Sequence, residues 1–311
     1  MNNRLKNNHK ILNDPEMNDF VYEKRIVAFL DILGFSSMIE DSKVDFSLRS
    51  KIKRATEMIK ESTKVEETGR TVSTFSDSAV ISYPLNRYSS LFHLLIDIIH
   101  LQLKLGALGI LFRGGIAIGD CFHDGNIIFG PAMNEAYRIE SKEAKWPRVV
   151  ISEDALKEGL KATIEPNPYG VMYDLEDIMG LLKEDDYQNS IPELKDERDT
   201  CTLYFVDFLS QSQELNHYGY EYFEWLRGLR VAIVEGLNRY STASGEKIEE
   251  GLSKAEKDKV FKKYRWLLEY WNSVVDDDNA SFPIPDIDRE NQVKFREMYK
   301  KLKIRKRYPY F

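Results

Sequence analysis

Residues Arg25–Asp31, RIVAFLD, form an apolar run with a charged side chain at each end. A short run of this kind is typical of a buried β-strand. Thr71–Phe75 and Ala79–Tyr83 are two further β-prone runs, and the Ser76–Ser78 segment between them is typical of a hairpin turn. Apolar residues between the first strand and the hairpin recur at helical spacing as far as about Ser62. The sequence therefore predicts a strand, a helix and a β-hairpin, in that order.

The segment after the hairpin adds a second helix and more strands. Leu91–Leu105 is long, apolar and helical in pattern, and Ile110–Gly119 is typical of a strand. Asp120–Gly125 is predicted as a turn region and Asn126–Gly130 as a short strand. A further helix is expected to begin at Pro131, because proline is tolerated in a first turn. The order βαββαβ predicts an α+β fold with a ferredoxin-like core.

Three parts of the chain differ in composition. Met1–Tyr22 is polar and is expected to form a flexible N-terminal arm. Residues 23–209 are predicted to hold the α+β domain, and residues 210–311 an α-helical extension with two amphipathic helices. Within the domain, Lys183–Asp199 is strongly charged and is predicted to be an exposed insertion.

Composition limits the class of protein. The 311 residues are 42% hydrophobic and 31% charged, which is ordinary for a soluble globular chain. A net charge of −7 argues against general nucleic-acid binding, and the basic run Lys300–Arg307 is more typical of a solvated tail. No apolar stretch reaches the roughly 20 residues that a membrane span needs. Two separated cysteines indicate a reducing compartment, so we expect a cytoplasmic protein that binds neither nucleic acid nor membranes.

The first candidate site segment is FLDILGFS, residues 29–36. Asp31 ends the predicted strand, where its carboxylate is held rigidly. The turn formed by Gly34, Phe35 and Ser36 leaves unpaired backbone N–H groups that favour phosphate or another anion. Taken alone, this segment is better explained by an aspartate that caps the end of a strand.

The second candidate is Asp77, in the predicted hairpin turn. Aspartate is common in turns, so Asp77 alone carries little functional weight. In a βαββ order, however, the first strand and the hairpin lie side by side, and Asp31 and Asp77 are expected to converge. Two neighbouring carboxylates repel each other unless a cation lies between them. Hard ions such as Mg²⁺ or Mn²⁺ take ligands of this kind.

Two further candidate groups each contain an arginine. Asn134 and Arg138 are four residues apart and lie on one face of the predicted helix. An amide and a guanidinium aimed together stabilise charge on phosphoryl oxygens, although Arg138 is also placed to pair with Glu135 or Glu140. Arg113 precedes two glycines on a strand, which leaves room for a ligand or marks a structural arginine.

These motifs together resemble a known family. AFLDILGF, TFSDSAV and FRGGIAIGD followed by NIIFGPAMNEAYRIES occur in the order and spacing of the class III nucleotidyl cyclases. The resemblance covers roughly Arg25–Asp207 and implies a catalytic domain similar to a polymerase palm. In that family the ribose 3′-hydroxyl of a nucleoside triphosphate attacks the α-phosphate, and pyrophosphate leaves.

The resemblance implies a metal site in this chain. Asp31 and Asp77 correspond to the two metal-binding aspartates, and the backbone carbonyl of Ile32 completes the shell of two divalent ions, Mn²⁺ or Mg²⁺.

The same resemblance assigns the two arginines and the asparagine. Arg113 corresponds to the arginine that binds the triphosphate, Asn134 to the residue that orients the ribose, and Arg138 to the arginine that stabilises the transition state. In the family the aspartates and the Asn/Arg pair of one site come from different subunits, which implies a homodimer with composite active sites.

The positions that read a purine base depart from the family pattern. Adenylyl members have a lysine four residues before the second aspartate and an aspartate seven before the asparagine, where this chain has Ser73 and Ile127. Guanylyl members have a glutamate at the first position, which is also absent. A pocket without the matching groups rejects a base that needs them. A smaller base, or one recognised by other contacts, is expected, with Phe29 stacked on it.

With this pocket, a single cyclase domain and a helical extension, the chain resembles the pyrimidine cyclases of the bacterial Pycsar antiphage systems. The resemblance implies conversion of UTP to cyclic UMP, a second messenger that activates a downstream effector. A cytidylate cyclase that makes cyclic CMP from CTP stays open, since no residue decides between the two bases.

Three other functions stay open. The first is an adenylate or guanylate cyclase with an unusual base pocket. The second is an inactive cyclase-like module that binds a nucleotide or a protein. The third is a nucleic-acid-binding protein that uses Lys300–Arg307.

Overall fold

The computed structural model describes most of the chain. The described residues are 21–61, 69–87, 89–164, 175–184, 204–211, 220–241 and 253–277. Three predicted segments lie wholly or mostly outside them: the N-terminal arm, the charged insertion and the basic run near the C-terminus.

The described residues form eight strands and eight helices. The strands are β1 (Glu23–Ile32), β2 (Thr71–Phe75), β3 (Ser78–Pro84), β4 (Phe112–Asp124), β5 (Ile127–Phe129), β6 (Val149–Ile151), β7 (Leu182–Glu184) and β8 (Tyr204–Val206). The helices are α1 (Phe35–Asp41), α2 (Phe46–Glu61), α3 (Ser90–Ala107), α4 (Pro131–Lys142), α5 (Glu153–Ile164), α6 (Leu175–Gly180), α7 (Tyr220–Tyr240) and α8 (Lys254–Asp277).

One mixed sheet organises the fold. Its strand order is β2-β3-β1-β4-β6-β8-β7, and β5 pairs with β4 outside this path. β1 is antiparallel to both of its neighbours, β3 and β4, whereas β4 and β6 run parallel. The predicted α+β fold with a βαββαβ core is confirmed, and so is the placement of the first strand beside the hairpin.

The sheet is covered on both faces, as the alternation along β1 requires. Ile26 and Leu30 belong to the large core under α3, while Val27 and Phe29 lie in a smaller core under α4. α7 and α8 complete the large core, which explains why the helical extension is rich in aromatic residues.

α3 has the most apolar composition of the described helices. Among those helices it is long and apolar enough to cross a membrane, but 67% of it is buried inside the protein. Its apolar residues therefore pack in the core of the domain.

The structure corrects three predicted elements. The helix expected to run to Ser62 is divided into α1 and α2, because the Asp45 carboxylate caps α2 by accepting from the backbone N–H groups of Ser47 and Leu48 at 2.8 and 3.2 Å. The predicted turn Asp120–Gly125 belongs largely to β4, since its residues pair with the start of β1 and with β5. The run Val171–Leu175 also predicts a strand from its sequence, but Leu175 begins α6.

β7 was not predicted. It lies at the start of the segment expected to be an exposed insertion, where Lys183 and Glu184 pair with Phe205 and Tyr204 of β8. Its short, charged sequence carries no alternating pattern by which a strand would be recognised.

Candidate active site

The structure brings Asp31 and Asp77 together. Asp31 is near the end of β1, paired in register with Ser78 of β3 on one side and Arg113 of β4 on the other. Asp77 lies in the β2–β3 turn, and its backbone carbonyl accepts a hydrogen bond from the Ile32 N–H at 2.9 Å. The two carboxylates repel each other electrostatically.

Arg113 links Asp31 to a buried carboxylate of α4. Its Nε lies 2.6 Å from Oε1 of Glu140 and 3.8 Å from Oδ2 of Asp31. The Glu140 side chain is only 3% exposed, and burial raises its pKa while the Arg113 charge opposes that shift. Burial likewise raises the pKa of Asp31, Arg113 lowers it and Asp77 raises it further. The Arg113 guanidinium therefore partly offsets the negative charges of both Asp31 and Glu140.

The glycines after Arg113 serve packing. A Cβ atom at Gly115 would lie 2.3 Å from the Ala136 carbonyl oxygen and 2.7 Å from the Glu140 nitrogen, both in the backbone of α4. A Cβ atom at Gly114 would lie 2.6 Å from a Leu30 methyl carbon. The space beside Arg113 is thus filled by α4 and by β1, and the prediction that the glycines leave room for a ligand is wrong.

The donor set at this corner fits a hard divalent ion. Asp31 is 25% exposed and shares the site with Asp77, so carboxylate oxygens and solvent are both available. The described residues contain no group of three or more His, Cys, Asp and Glu side chains arranged to hold a metal. Two carboxylates match ions that keep several water or substrate ligands, as Mg²⁺ and Mn²⁺ do.

The turn after Asp31 lies open at the surface. Gly34 has a left-handed backbone, with φ at 73°, and is the N-cap of the seven-residue helix α1. Gly34 and Ser36 are exposed, while Phe35 packs against the large core. The ring of Phe35 therefore anchors the turn next to the two aspartates.

Asn134 and Arg138 are on the outward side of α4. The guanidinium of Arg138 donates to both carboxylate oxygens of Glu135, at 2.7 and 2.8 Å, and lies 2.7 Å from Glu143. Asn134 is exposed, and Tyr137 beside it is 55% exposed. Within the described part of the chain neither Asn134 nor Arg138 contacts the aspartates, so one protomer does not bring all the candidate residues together.

Ser73 belongs to a buried chain of hydrogen bonds. Its hydroxyl donates to the Gly125 carbonyl at 2.6 Å and lies 2.8 Å from Nε2 of His123. The other ring nitrogen of His123 lies 2.7 Å from the Ser82 hydroxyl, which accepts from Nε of Arg25 at 2.8 Å. Because the Ser73 proton is given to Gly125, its hydroxyl holds the β4–β5 turn in place.

The two other residues predicted to contact a base lie in different surroundings. Ile127, at the start of β5, is 61% exposed, and the Ser73–Gly125 bond brings Ser73 to the same end of the sheet. Phe29 is buried under α4, where its ring meets the Tyr137 ring edge-on at 5.3 Å between centroids. Stacking of a base on Phe29 therefore requires Tyr137 to move.

Two residues near the site are not predicted from the sequence. Glu140 is expected to pair with Arg138, but it pairs with Arg113. Tyr137 was not considered, although an aromatic residue between two polar candidates on a helix is a recognisable signal.

The comparisons show limited similarity between this chain and known proteins. No protein-family model and no curated protein matches the sequence. Among solved structures, the adenylyl cyclase CyaB from P. aeruginosa is similar with a TM-score of 0.40 and 17% identity, over 60% of this chain and 94% of that one. A bacterial light-regulated adenylyl cyclase gives 0.38 and 13%, over 68% and 98%. The guanylyl cyclase domain of the RhoGC fusion protein from the aquatic fungus Blastocladiella emersonii gives 0.35 and 14%, over 60% and 96%.

Proposed function

We propose that this protein is a pyrimidine nucleotide cyclase that converts UTP to 3′,5′-cyclic UMP and pyrophosphate. The observation that carries the proposal is the convergence of Asp31 and Asp77 beside Arg113, at the positions where the cyclase-like motifs place them. TM-scores this low add nothing to that observation.

The chain's carboxylates provide the metal site. Asp31, Asp77 and the carbonyl of Ile32 would hold two divalent ions, Mn²⁺ or Mg²⁺. Such ions, when bound, lower the pKa of the attacking hydroxyl and neutralise the phosphate oxygens. Arg113 supplies a cation for the triphosphate, and Glu140 orients it by an ion pair with its Nε. The exposed turn at Gly34 offers backbone N–H groups next to the same phosphates.

The position of Arg138 supports a composite site. Its guanidinium pairs with Glu135 and Glu143 of its own helix region, and no contact with Asp31 or Asp77 occurs among the described residues. A guanidinium preorganised in this way stabilises developing charge on a phosphoryl group without reorganisation. We therefore assign Asn134 and Arg138 to the site of a second copy of this chain, in a homodimer.

The side chains at the two base-reading positions support the proposed base preference. The Ser73 hydroxyl donates its hydrogen bond to the β4–β5 turn, and the Ile127 side chain has no polar group. Neither satisfies the hydrogen-bonding edge of a purine. CTP is the alternative substrate, with cyclic CMP as its product. In this proposal the domain spans residues 23–209, and the cytoplasmic product is a second messenger that activates an antiviral effector.

Product identification tests the proposal. The purified chain is incubated with Mn²⁺ and equimolar ATP, GTP, CTP and UTP, and cyclic products are resolved by mass spectrometry. Cyclic UMP as the dominant product is expected. Dominant cyclic CMP would change the base, cyclic AMP or GMP would refute the pyrimidine preference, and failure to cyclise any of the four would contradict the proposed activity.

A further inference from the structure

Helix α8 of the helical extension is fixed against the sheet by aromatic packing. The rings of Trp266 and Tyr270 both meet the ring of Phe205 on β8, with centroids 5.6 and 5.4 Å apart. The Tyr270 hydroxyl also donates to the buried Asp207 carboxylate. Because these residues are buried, α8 has a fixed position relative to the sheet.

The same face of α8 is directed towards the start of β4. The Arg148 guanidinium lies 5.8 Å from the centroid of Trp266, and the Arg148 carbonyl accepts from the N–H of Gly114 at 3.0 Å. Gly114 directly follows Arg113. Lys263 precedes Trp266 by three residues and so projects from the same face, one turn away.

Lys263 is a cation beside the candidate site, and the acidic group that influences it is Asp31. It is half-buried and interacts electrostatically with Arg113, Asp31 and Lys259. In the described part of the chain it has no ion pair within 4 Å, whereas its neighbours Lys262 and Arg265 pair with carboxylates of α8. Burial lowers its pKa, and the positive charge of Arg113 lowers it further.

The surrounding charges favour an anion at this place. Arg113 is already paired with Glu140 at 2.6 Å, and Asp31 is the acidic group that faces Lys263. When Asp31 ligates a metal, its charge is no longer available to Lys263. A partly desolvated ammonium without a close ion pair is costly, and an incoming polyanion removes that cost.

We propose that Lys263 binds the triphosphate of the nucleotide, so that the helical extension contributes directly to the active site. This inference rests on the proposed function and extends it to residues outside the segment that resembles a cyclase. It gives α8 a role in substrate binding beyond its packing.

Binding of inorganic tripolyphosphate to the full chain tests this role without catalysis. Isothermal titration calorimetry in Mg²⁺ compares wild type with Lys263→Gln and Lys263→Arg. Lys262→Gln is the matched control, because Lys262 pairs with Asp258 on its own helix at 2.9 Å. Loss of one charged contact is expected to weaken binding about tenfold in Lys263→Gln. The arginine variant and the control should bind as wild type does.

The outcomes separate this inference from the proposed function. Wild-type affinity in Lys263→Gln, or an equal loss in the Lys262→Gln control, would overturn the role of Lys263 and leave the cyclase proposal intact. Steady-state kinetics should show an increase in KM for the preferred nucleotide of about tenfold in Lys263→Gln, with a smaller change in kcat. A wild-type chain that binds no tripolyphosphate and forms no cyclic product would instead contradict both.

Discussion

Substitution of Gly115 by alanine tests how closely α4 packs against the sheet. The added Cβ atom would lie 2.3 Å from the Ala136 carbonyl oxygen, where ordinary contacts begin at 3.4 Å, so α4 must move by roughly 1 Å. Both of its closest contacts are backbone atoms, which cannot rotate away as a side chain does. Overpacking of this kind costs about 3 kcal/mol, the upper part of the usual range.

Gly119 provides the matched control on the same strand. A Cβ atom there would meet the Cβ of Ala132 at 3.5 Å, which is an ordinary contact. Gly119→Ala is therefore expected to be neutral or to stabilise the fold by up to about 1 kcal/mol, since alanine loses less backbone entropy on folding than glycine.

Urea denaturation followed by tryptophan fluorescence measures the difference. The free energy of unfolding should fall by about 3 kcal/mol in Gly115→Ala and stay within about 1 kcal/mol of wild type in Gly119→Ala. Cyclase activity of folded Gly115→Ala should also drop, because α4 carries Glu140 and so orients Arg113. Equal free energies of unfolding of the two variants would refute the close packing of α4 against β4.

Three further predictions concern pH, the hairpin and the dimer. Burial, and secondly the charge of Arg25, lower the pKa of His123 to about 4, so the unfolded chain takes up its proton first as pH falls. The free energy of unfolding is retained above pH 6.5 and should drop by about 2 kcal/mol at pH 5. Urea denaturation of His123→Gln should not show this drop. Identical pH profiles of the variant and the wild type would contradict the prediction. Ser76 has a left-handed backbone, φ 50°, so Ser76→Gly should raise the free energy of unfolding by about 1 kcal/mol, and a destabilised variant would contradict the strain. Asp77→Asn and Arg138→Ala should each be inactive alone. When the two variants are mixed in equal amounts and exchange subunits, the mixture should regain about a quarter of wild-type activity. A mixture that stays inactive would exclude the composite site.

The convergence of the aspartates was predictable from the order of the elements. A strand, a helix and a hairpin place β1 next to β3, and the register then sets Asp31 beside the turn that holds Asp77. Local patterns were enough, because apolar runs and turn residues define these elements without reference to distant parts of the chain.

The partners of Arg113 and Ser73 were not predictable in the same way. Glu140 reaches Arg113 because Gly115 lets α4 approach the backbone of β4, and that distance depends on tertiary packing. The bond from Ser73 to Gly125 depends on the long extension of β4, whose residues carry turn-like side chains. Strand pairing overrode local propensity in that segment.

Lys263 lies about 150 residues from Arg113 in the sequence, so no local pattern links the two side chains. Its proximity to the site follows from the docking of Trp266 and Tyr270 on Phe205, which no local pattern reveals.

The most direct test of the central claim is whether Asp31 and Asp77 act as one metal site. Single-turnover rates of cyclic product formation are measured for Asp31→Asn, Asp77→Asn and the double variant, each with saturating Mn²⁺. Each single substitution is expected to reduce the rate by at least about a thousandfold, and the double variant should be no slower than the slower single one, because residues that act as a unit are not additive. A wild-type rate in either single variant, or losses that multiply in the double variant, would contradict a shared site.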